Sequence, residues 1–133
     1  MTRDELRAWG VALGRDLAPG DLVALRGDLG AGKTTLAQAI AAGYGIVDEV
    51  TSPTYALAQR YHGPRGTLWH LDLYRIERPG DVGNLGWDDI LAGDAAVLVE
   101  WPERAGGELP AARCDVTLSI VAGDDTRRRV RVG

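Results

Sequence analysis

The chain lacks several features that would each direct it elsewhere. No apolar run approaches the roughly 20 residues that a bilayer-spanning helix needs, so nothing in the 133 residues reads as a membrane segment. The opening Thr2-Arg3-Asp4-Glu5 lacks the basic region and apolar block of a secretory leader, and a cytoplasmic location is expected. There is one cysteine, Cys114, at the edge of a predicted strand; alone it forms no internal disulfide, and no His or Cys stands near it at metal-ligand spacing. Phenylalanine is absent and aromatics make up 6%. Excess positive charge is absent too: 15 basic against 19 acidic residues leave a net charge of -4, the wrong balance for a chain that holds nucleic acid by itself. Lysine is almost missing, since Lys33 is the only one and every other basic residue is arginine. That position evidently does not accept Arg.

What remains is ordinary for a soluble globular protein, with 45% hydrophobic and 26% charged residues. The length fits one domain, 1–133, large enough to bury about two thirds of the surface its unfolded chain exposes. The chain opens with a predicted helix, because Thr2 and Glu5 form a capping box and Leu6, Trp9, Leu13 and Leu17 follow at near-helical spacing before Pro19-Gly20. Asp21 to Arg26 reads as a buried strand, and an Ala-rich helix from Lys33 to Ala42 stops at Gly43. Tyr55 to Tyr61 and Thr67 to Tyr74 read as a hairpin, with His70 and Asp72 on one face and Trp69, Leu71 and Leu73 on the other. A weak helix over Asp81 to Leu91, an apolar strand from Ala95 to Trp101 and a terminal hairpin turning at Gly123-Asp124-Asp125 complete the pass. No repeat or linker divides it. The order strand, glycine-rich turn, helix predicts an α/β, P-loop type fold with a mixed, mostly parallel central sheet flanked by helices.

Gly27-Asp28-Leu29-Gly30-Ala31-Gly32-Lys33-Thr34 matches the phosphate-binding pattern GxxxxGK(S/T) between that strand and that helix, as the motif requires. From this composition, chance produces the pattern roughly once in a thousand such chains. Glycines let the backbone approach phosphates, and amides from Asp28 through Thr35 at a helix start present positive potential to an anion. Lys33 is a compact charge for the β- and γ-phosphates, which the wide guanidinium fork of Arg does not replace. Thr34 offers a hydroxyl to Mg²⁺, with Thr35 beside it. Such a site also needs carboxylates near the ends of neighbouring strands. Glu100 closes an apolar strand like a Walker B acid, as a direct or water-mediated Mg²⁺ ligand, and Asp72 ends the His70-Leu71-Asp72 run. Thr54, in Thr51-Ser52-Pro53-Thr54, is a candidate γ-phosphate sensor. His70 is a supporting group. The Arg127 to Arg131 run reads as a solvated strand face, with Arg127 or Arg129 as possible neighbours of the nucleotide.

Taken together, GDLGAGKTT (Gly27 to Thr35), SPTY (Ser52 to Tyr55), HLDLYR (His70 to Arg75), Leu85-Gly86 and VEWP (Val99 to Pro102) resemble the TsaE family over nearly the whole chain. The resemblance implies ATP and Mg²⁺ as cofactors, slow ATP hydrolysis stimulated by partners, and TsaB and TsaD as those partners. TsaD then transfers threonylcarbamoyl to adenosine 37 of ANN-decoding tRNAs, and this chain meets tRNA only through the complex. It implies Thr34 and Glu100 as Mg²⁺ ligands, Asp72 positioning water, Thr54 in a switch and Trp101 beside the site. Three departures stand out: a shortened N-terminal strand, Leu6 where a threonine four residues before a helical glycine is usual, and Leu71 for a common Phe. Rival readings are weaker. A Ras-like GTPase needs a second lysine for NKxD and a DxxG, both missing here; a small-molecule kinase needs an acceptor pocket and an Arg-rich lid, for which only Arg65 and the terminal arginines offer themselves; a non-hydrolysing nucleotide-binding adaptor is the third.

Overall fold

In the computed structural model the described residues are 1–28, 30–48, 50, 58–76, 89–90, 93–105, 109 and 112–133. Leu29, Thr54 and the rest of the 51–57 segment lie outside them, as does most of the helix expected over 81–91, of which Asp89 and Ile90 are described and helical. The first helix, α1 (Arg3–Asp16), begins where the capping box places it: the Glu5 amide donates to Thr2 Oγ1 at 3.3 Å and the Thr2 amide to Glu5 Oε1 at 3.0 Å. The first strand, β1 (Leu22–Arg26), is buried over four of its five residues and leads through the glycine loop to α2 (Lys33–Gly43). A hairpin, β2 (Ala58–Gly63) and β3 (Gly66–Asp72), is followed by β4 (Ala96–Glu100), a 3-10 turn at Pro102–Ala105, and the hairpin of β5 (Cys114–Val121) and β6 (Asp124–Val132).

The sheet order is β2-β3-β4-β1-β5-β6. The four inner strands β3, β4, β1 and β5 run parallel, and β2 and β6 flank them antiparallel, so the sheet is mixed and mostly parallel as expected. Period-two alternation sorts the core. Val23, Leu25, Leu68, Leu98, Val116 and Leu118 face the two helices with Leu6, Leu17, Leu36 and Ile40, while Leu22, Ala24, Leu71, Val97 and Val99 face Ile76, Ile90 and Ala105 on the other side.

Three expected strand ends shift, each for a local reason. β3 stops at Asp72 rather than Tyr74 because the Asp72 carboxylate accepts the Tyr74 amide at 3.0 Å and turns the chain. β4 stops at Glu100 because Trp101 adopts φ 57°, which a pleated strand cannot continue. The last turn is tighter than expected, with Val121 already paired to Asp124 around Gly123 at φ 81°. The shortened N-terminal strand is reduced to one antiparallel bridge between Thr2 and Arg127. Cys114 opens β5 and is buried, and burial raises its thiol pKa, as suits an inert core cysteine.

Helices α1 and α2 pack backbone to backbone. A Cβ at Gly14 would collide with the Ile40 carbonyl oxygen, and one at Gly43 with that of Val11. Arg65, in the β2–β3 turn, ties the far ends of this pair to the hairpin. Its guanidinium donates to the carbonyls of Gly14, Arg15, Leu17 and Gly43 at 2.6–3.2 Å and lies over the Tyr44 ring. These carbonyls lie at or just past the C-termini of the two helices, where positive charge is favourable. The Gly14→Ala variant therefore tests two opposed effects: helix propensity gains about 1 kcal/mol, but overpacking against a backbone oxygen costs about 2 kcal/mol or more. Urea unfolding is expected to show net destabilisation; a gain in stability would mean the helices can separate freely.

Candidate active site

The site follows from strand register. Parallel pairing sets Asp72 opposite Glu100 and Leu25 opposite Glu100, so the carboxyl ends of β3, β4 and β1 finish side by side. The glycine loop leaves β1 at that end, the place where parallel α/β sheets hold their ligands. A cavity of about 300 Å³ opens there, lined by Asp28, Gly30, Gly32, Lys33, Thr34 and Thr35 from the loop and α2, by Asp72, Glu100 and Trp101 from the strand ends, and by Arg3 from α1. A larger hollow of about 660 Å³ lies at the opposite end of the sheet, around Pro19, Arg60, Trp69 and Asp94. Thr67, Asp89 and Asp94 line it together with Arg60, so a lysine joined to hydroxyls and carboxylates is found, among the described residues, at the smaller cavity.

Loop geometry suits phosphate. Gly30 and Gly32 hold φ at 81° and 102°, a region that residues with a Cβ rarely enter, and Gly32 is the N-cap of α2 with no side chain capping the helix amides. Those amides are left for an external acceptor. Lys33 is 6% exposed. Its ammonium donates to the carbonyls of Gly27 and Asp28 and lies 4.0 Å from the centre of the Trp101 ring. Burial lowers its pKa below the usual lysine value, and the nearby Glu100, Asp72, Glu103 and Asp28 pull it back. Trp101 in turn packs on Tyr74 at 5.0 Å between ring centres.

Glu100 is 3% exposed, and its Oε2 meets His70 Nε2 at 2.6 Å. His70 is fully buried, and its Nδ1 finds no hydrogen-bond partner among the described residues. His70 and Asp72 do share the face that looks towards α2, which brings the histidine to Glu100. Among the described residues the side-chain donors that the lining offers a cation are all oxygen: the hydroxyls of Thr34 and Thr35 and the carboxylates of Asp28, Asp72 and Glu100. No cluster of three or more His, Cys, Asp or Glu side chains suited to a metal occurs among the described residues. An all-oxygen donor set fits Mg²⁺, which keeps waters and borrows ligands from substrate phosphates.

Of the residues singled out in the sequence, Asp28, Gly30, Gly32, Lys33, Thr34, Thr35, Asp72 and Glu100 line one cavity, with Ala31 buried in the loop beneath. Leu29 and Thr54 fall outside the described residues. Arg127 is placed elsewhere: it is exposed, pairs with Asp124 at 3.6 Å and does not line the cavity. Strand alternation turns its neighbour Arg128 inward instead, where Nε donates to the Ala31 carbonyl at 3.1 Å and Nη2 to that of Gly30 at 3.3 Å. Arg128 braces the loop from β6. Sequence patterning missed Arg128 and Arg3, because neither belongs to the glycine motif and only the fold brings them to it.

Comparison with known proteins places residues 1–130 within the family model for "Threonylcarbamoyl adenosine biosynthesis protein TsaE". The chain is 40% identical to the tRNA threonylcarbamoyladenosine biosynthesis protein TsaE of Treponema pallidum over 124 residues, covering 93% of this chain and 90% of that one. It is 40% identical to the Bacillus subtilis TsaE over 109 residues, covering 82% and 67%. The crystal structure of Bacillus subtilis YdiB superposes with a TM-score of 0.79 at 32% identity, over all of this chain and 81% of that one.

The buried pair yields a test. Replacing His70 with Leu leaves the Glu100 carboxylate without its imidazole partner, and removing one member of a buried pair costs about 3 kcal/mol or more. Denaturant unfolding of His70→Leu, Glu100→Gln and the double variant should give a double variant less destabilised than the sum of the singles. Strict additivity would show that the pair is uncoupled.

Proposed function

From the membership of this chain in the TsaE family of tRNA threonylcarbamoyladenosine biosynthesis proteins, and from the cavity at the end of β1, we propose that it is a Mg²⁺-dependent ATPase. Its hydrolysis is slow alone and is stimulated when it acts on a TsaB–TsaD complex. One observation carries the reading: register delivers Lys33, Thr34, Asp72 and Glu100 to a single cavity from three separate elements.

The loop amides and Lys33 bind the β- and γ-phosphates. Lys33 then gives up its contacts with the Gly27 and Asp28 carbonyls for phosphate oxygens, and the anion offsets the burial that weighs against its charge. Asp72, partly exposed at the cavity wall, orients the attacking water and accepts its proton as the bond to the γ-phosphorus forms and the bridging oxygen leaves on ADP. Thr34 and Glu100 would hold Mg²⁺, which would supply charge neutralisation for the phosphates when bound. His70 keeps the Glu100 carboxylate in one orientation. The Trp101 ring faces the Lys33 ammonium, 4.0 Å from its centre. A cavity of about 300 Å³ is at the small end of the range for ligand sites and suits the triphosphate more than the whole nucleotide.

Calorimetry with ATP and Mg²⁺ is expected to give a saturable isotherm for the wild type and none for Lys33→Ala; unchanged affinity in the variant overturns the phosphate site. Asp72→Ala should keep ATP binding and lose turnover by about 10²-fold, the scale of one transition-state group. Phosphate release measured with and without TsaB and TsaD tests the partner. Release that rises with them supports the proposal, release that appears only with a small-molecule acceptor makes the chain a kinase, and no release under any condition makes it a nucleotide-binding adaptor.

A further inference from the structure

Among the described residues Arg3 and Lys33 are the two cationic side chains that line the proposed nucleotide cavity, and the first has no place in the glycine motif. Local helix physics does not explain it. Arg3 is the first residue of α1, at the positive end of the helix dipole, where a cation is unfavourable and the following Asp4 and Glu5 are the favoured kind. Nor does an ion pair account for it. Asp4 pairs with Arg7 and Glu5 is engaged with Thr2, and Arg3 belongs to no ion pair among the described residues.

Its position is nevertheless held from several sides. Thr2, immediately before it, caps α1 and bridges to Arg127 on β6, while Met1 and Arg128 exchange backbone hydrogen bonds of 2.7 Å. Leu6, one turn later on the same helix face, is 2% exposed and lies against Gly32, 3.7 Å from where a Cβ there would stand. The first turn of α1 is thus clamped over the loop, with Arg3 at the cavity rim and Lys33 at its floor. The charges in the lining point the same way. Among the described residues Asp28, Asp72 and Glu100 outnumber Arg3 and Lys33 by three to two, so of these groups a polyanion entering without Arg3 would meet a single cation against three acids.

We propose that Arg3 is a second cation for the polyphosphate of bound ATP, its planar guanidinium closing on phosphate oxygens from the α1 side as the loop amides and Lys33 hold them from below. This rests on the proposed ATP site and adds to it a residue outside the phosphate-binding motif. It also gives the local conflict a reason: a charge disfavoured by its own helix is retained because a bound anion favours it.

The test is calorimetry on the full chain with Mg²⁺, using ATP, inorganic tripolyphosphate and adenosine as separate probes, for the wild type, Arg3→Ala, Arg3→Lys and Lys33→Ala. Arg3→Ala should bind ATP and tripolyphosphate about ten-fold more weakly, the scale of one charge-assisted contact, with Arg3→Lys between it and the wild type and adenosine unaffected. Thermal melting without nucleotide should show Arg3→Ala no less stable than the wild type, since the change removes a cation from a positive helix end. Wild-type affinity for tripolyphosphate in Arg3→Ala, while Lys33→Ala loses it, overturns the role of Arg3 and leaves the phosphate site standing. Weaker ATP with unchanged tripolyphosphate overturns it in favour of a contact with the nucleoside. A wild type that binds neither ATP nor tripolyphosphate removes the ATP reading itself, and Arg3 with it.

Discussion

Lys33 holds its ammonium where 6% of the residue reaches water, and burial acts against that charge. In this structure the charge rests on two loop carbonyls and the face of Trp101, with Asp72 and Glu100 across the cavity. A buried cation satisfied mainly by neutral groups is a poor use of stability unless an anion arrives to improve it. The surrounding arrangement serves that arrival. Positive φ at Gly30 and Gly32 opens the loop, the strand ends bring two carboxylates to the opposite wall, and the α2 amides stay uncapped.

The rest of the molecule keeps this corner in shape. Arg65 and Arg128 do similar work at opposite ends of the helix layer, each placing a guanidinium on backbone carbonyls. Arg65 joins the ends of α1 and α2 to the β2–β3 turn, and Arg128 joins β6 to the glycine loop. Both span long stretches of sequence, so they link elements that local interactions leave independent. The glycine contacts between α1 and α2 let the helices approach closely enough for Leu6 to cover Gly32, which is why the N-terminal turn reaches the cavity at the end of β1.

Much of this was legible in the residues. The capping box at Thr2 and Glu5, the β1 and β4 apolar runs and the turn into the α2 helix appear as local pattern predicts, because each depends on neighbours in sequence, while the mixed sheet follows from the order of those elements. The strand ends at Asp72 and Glu100 were less visible. They depend on an aspartate capping its own turn and on a tryptophan at positive φ, neither of which has a periodic signature. The terminal arginines show the same limit, since alternation can be counted from sequence but not which side of β6 meets the loop. Arg127 was the expected neighbour and Arg128 is the one that arrives.

Sequence by itself determined the chemistry on offer: one lysine at the start of a helix, a hydroxyl beside it, acids at the ends of apolar strands, and a composition with no surplus of positive charge. Those follow from residue type and spacing, which act over a few positions. The tertiary structure decided which groups meet. The parallel register set Asp72 beside Glu100, a strand histidine became the partner of that glutamate, and the first turn of α1 brought Arg3 to the cavity rim. Such meetings join residues that lie from about thirty to a hundred positions apart along the chain, and only the packing of a sheet against its helices can specify them.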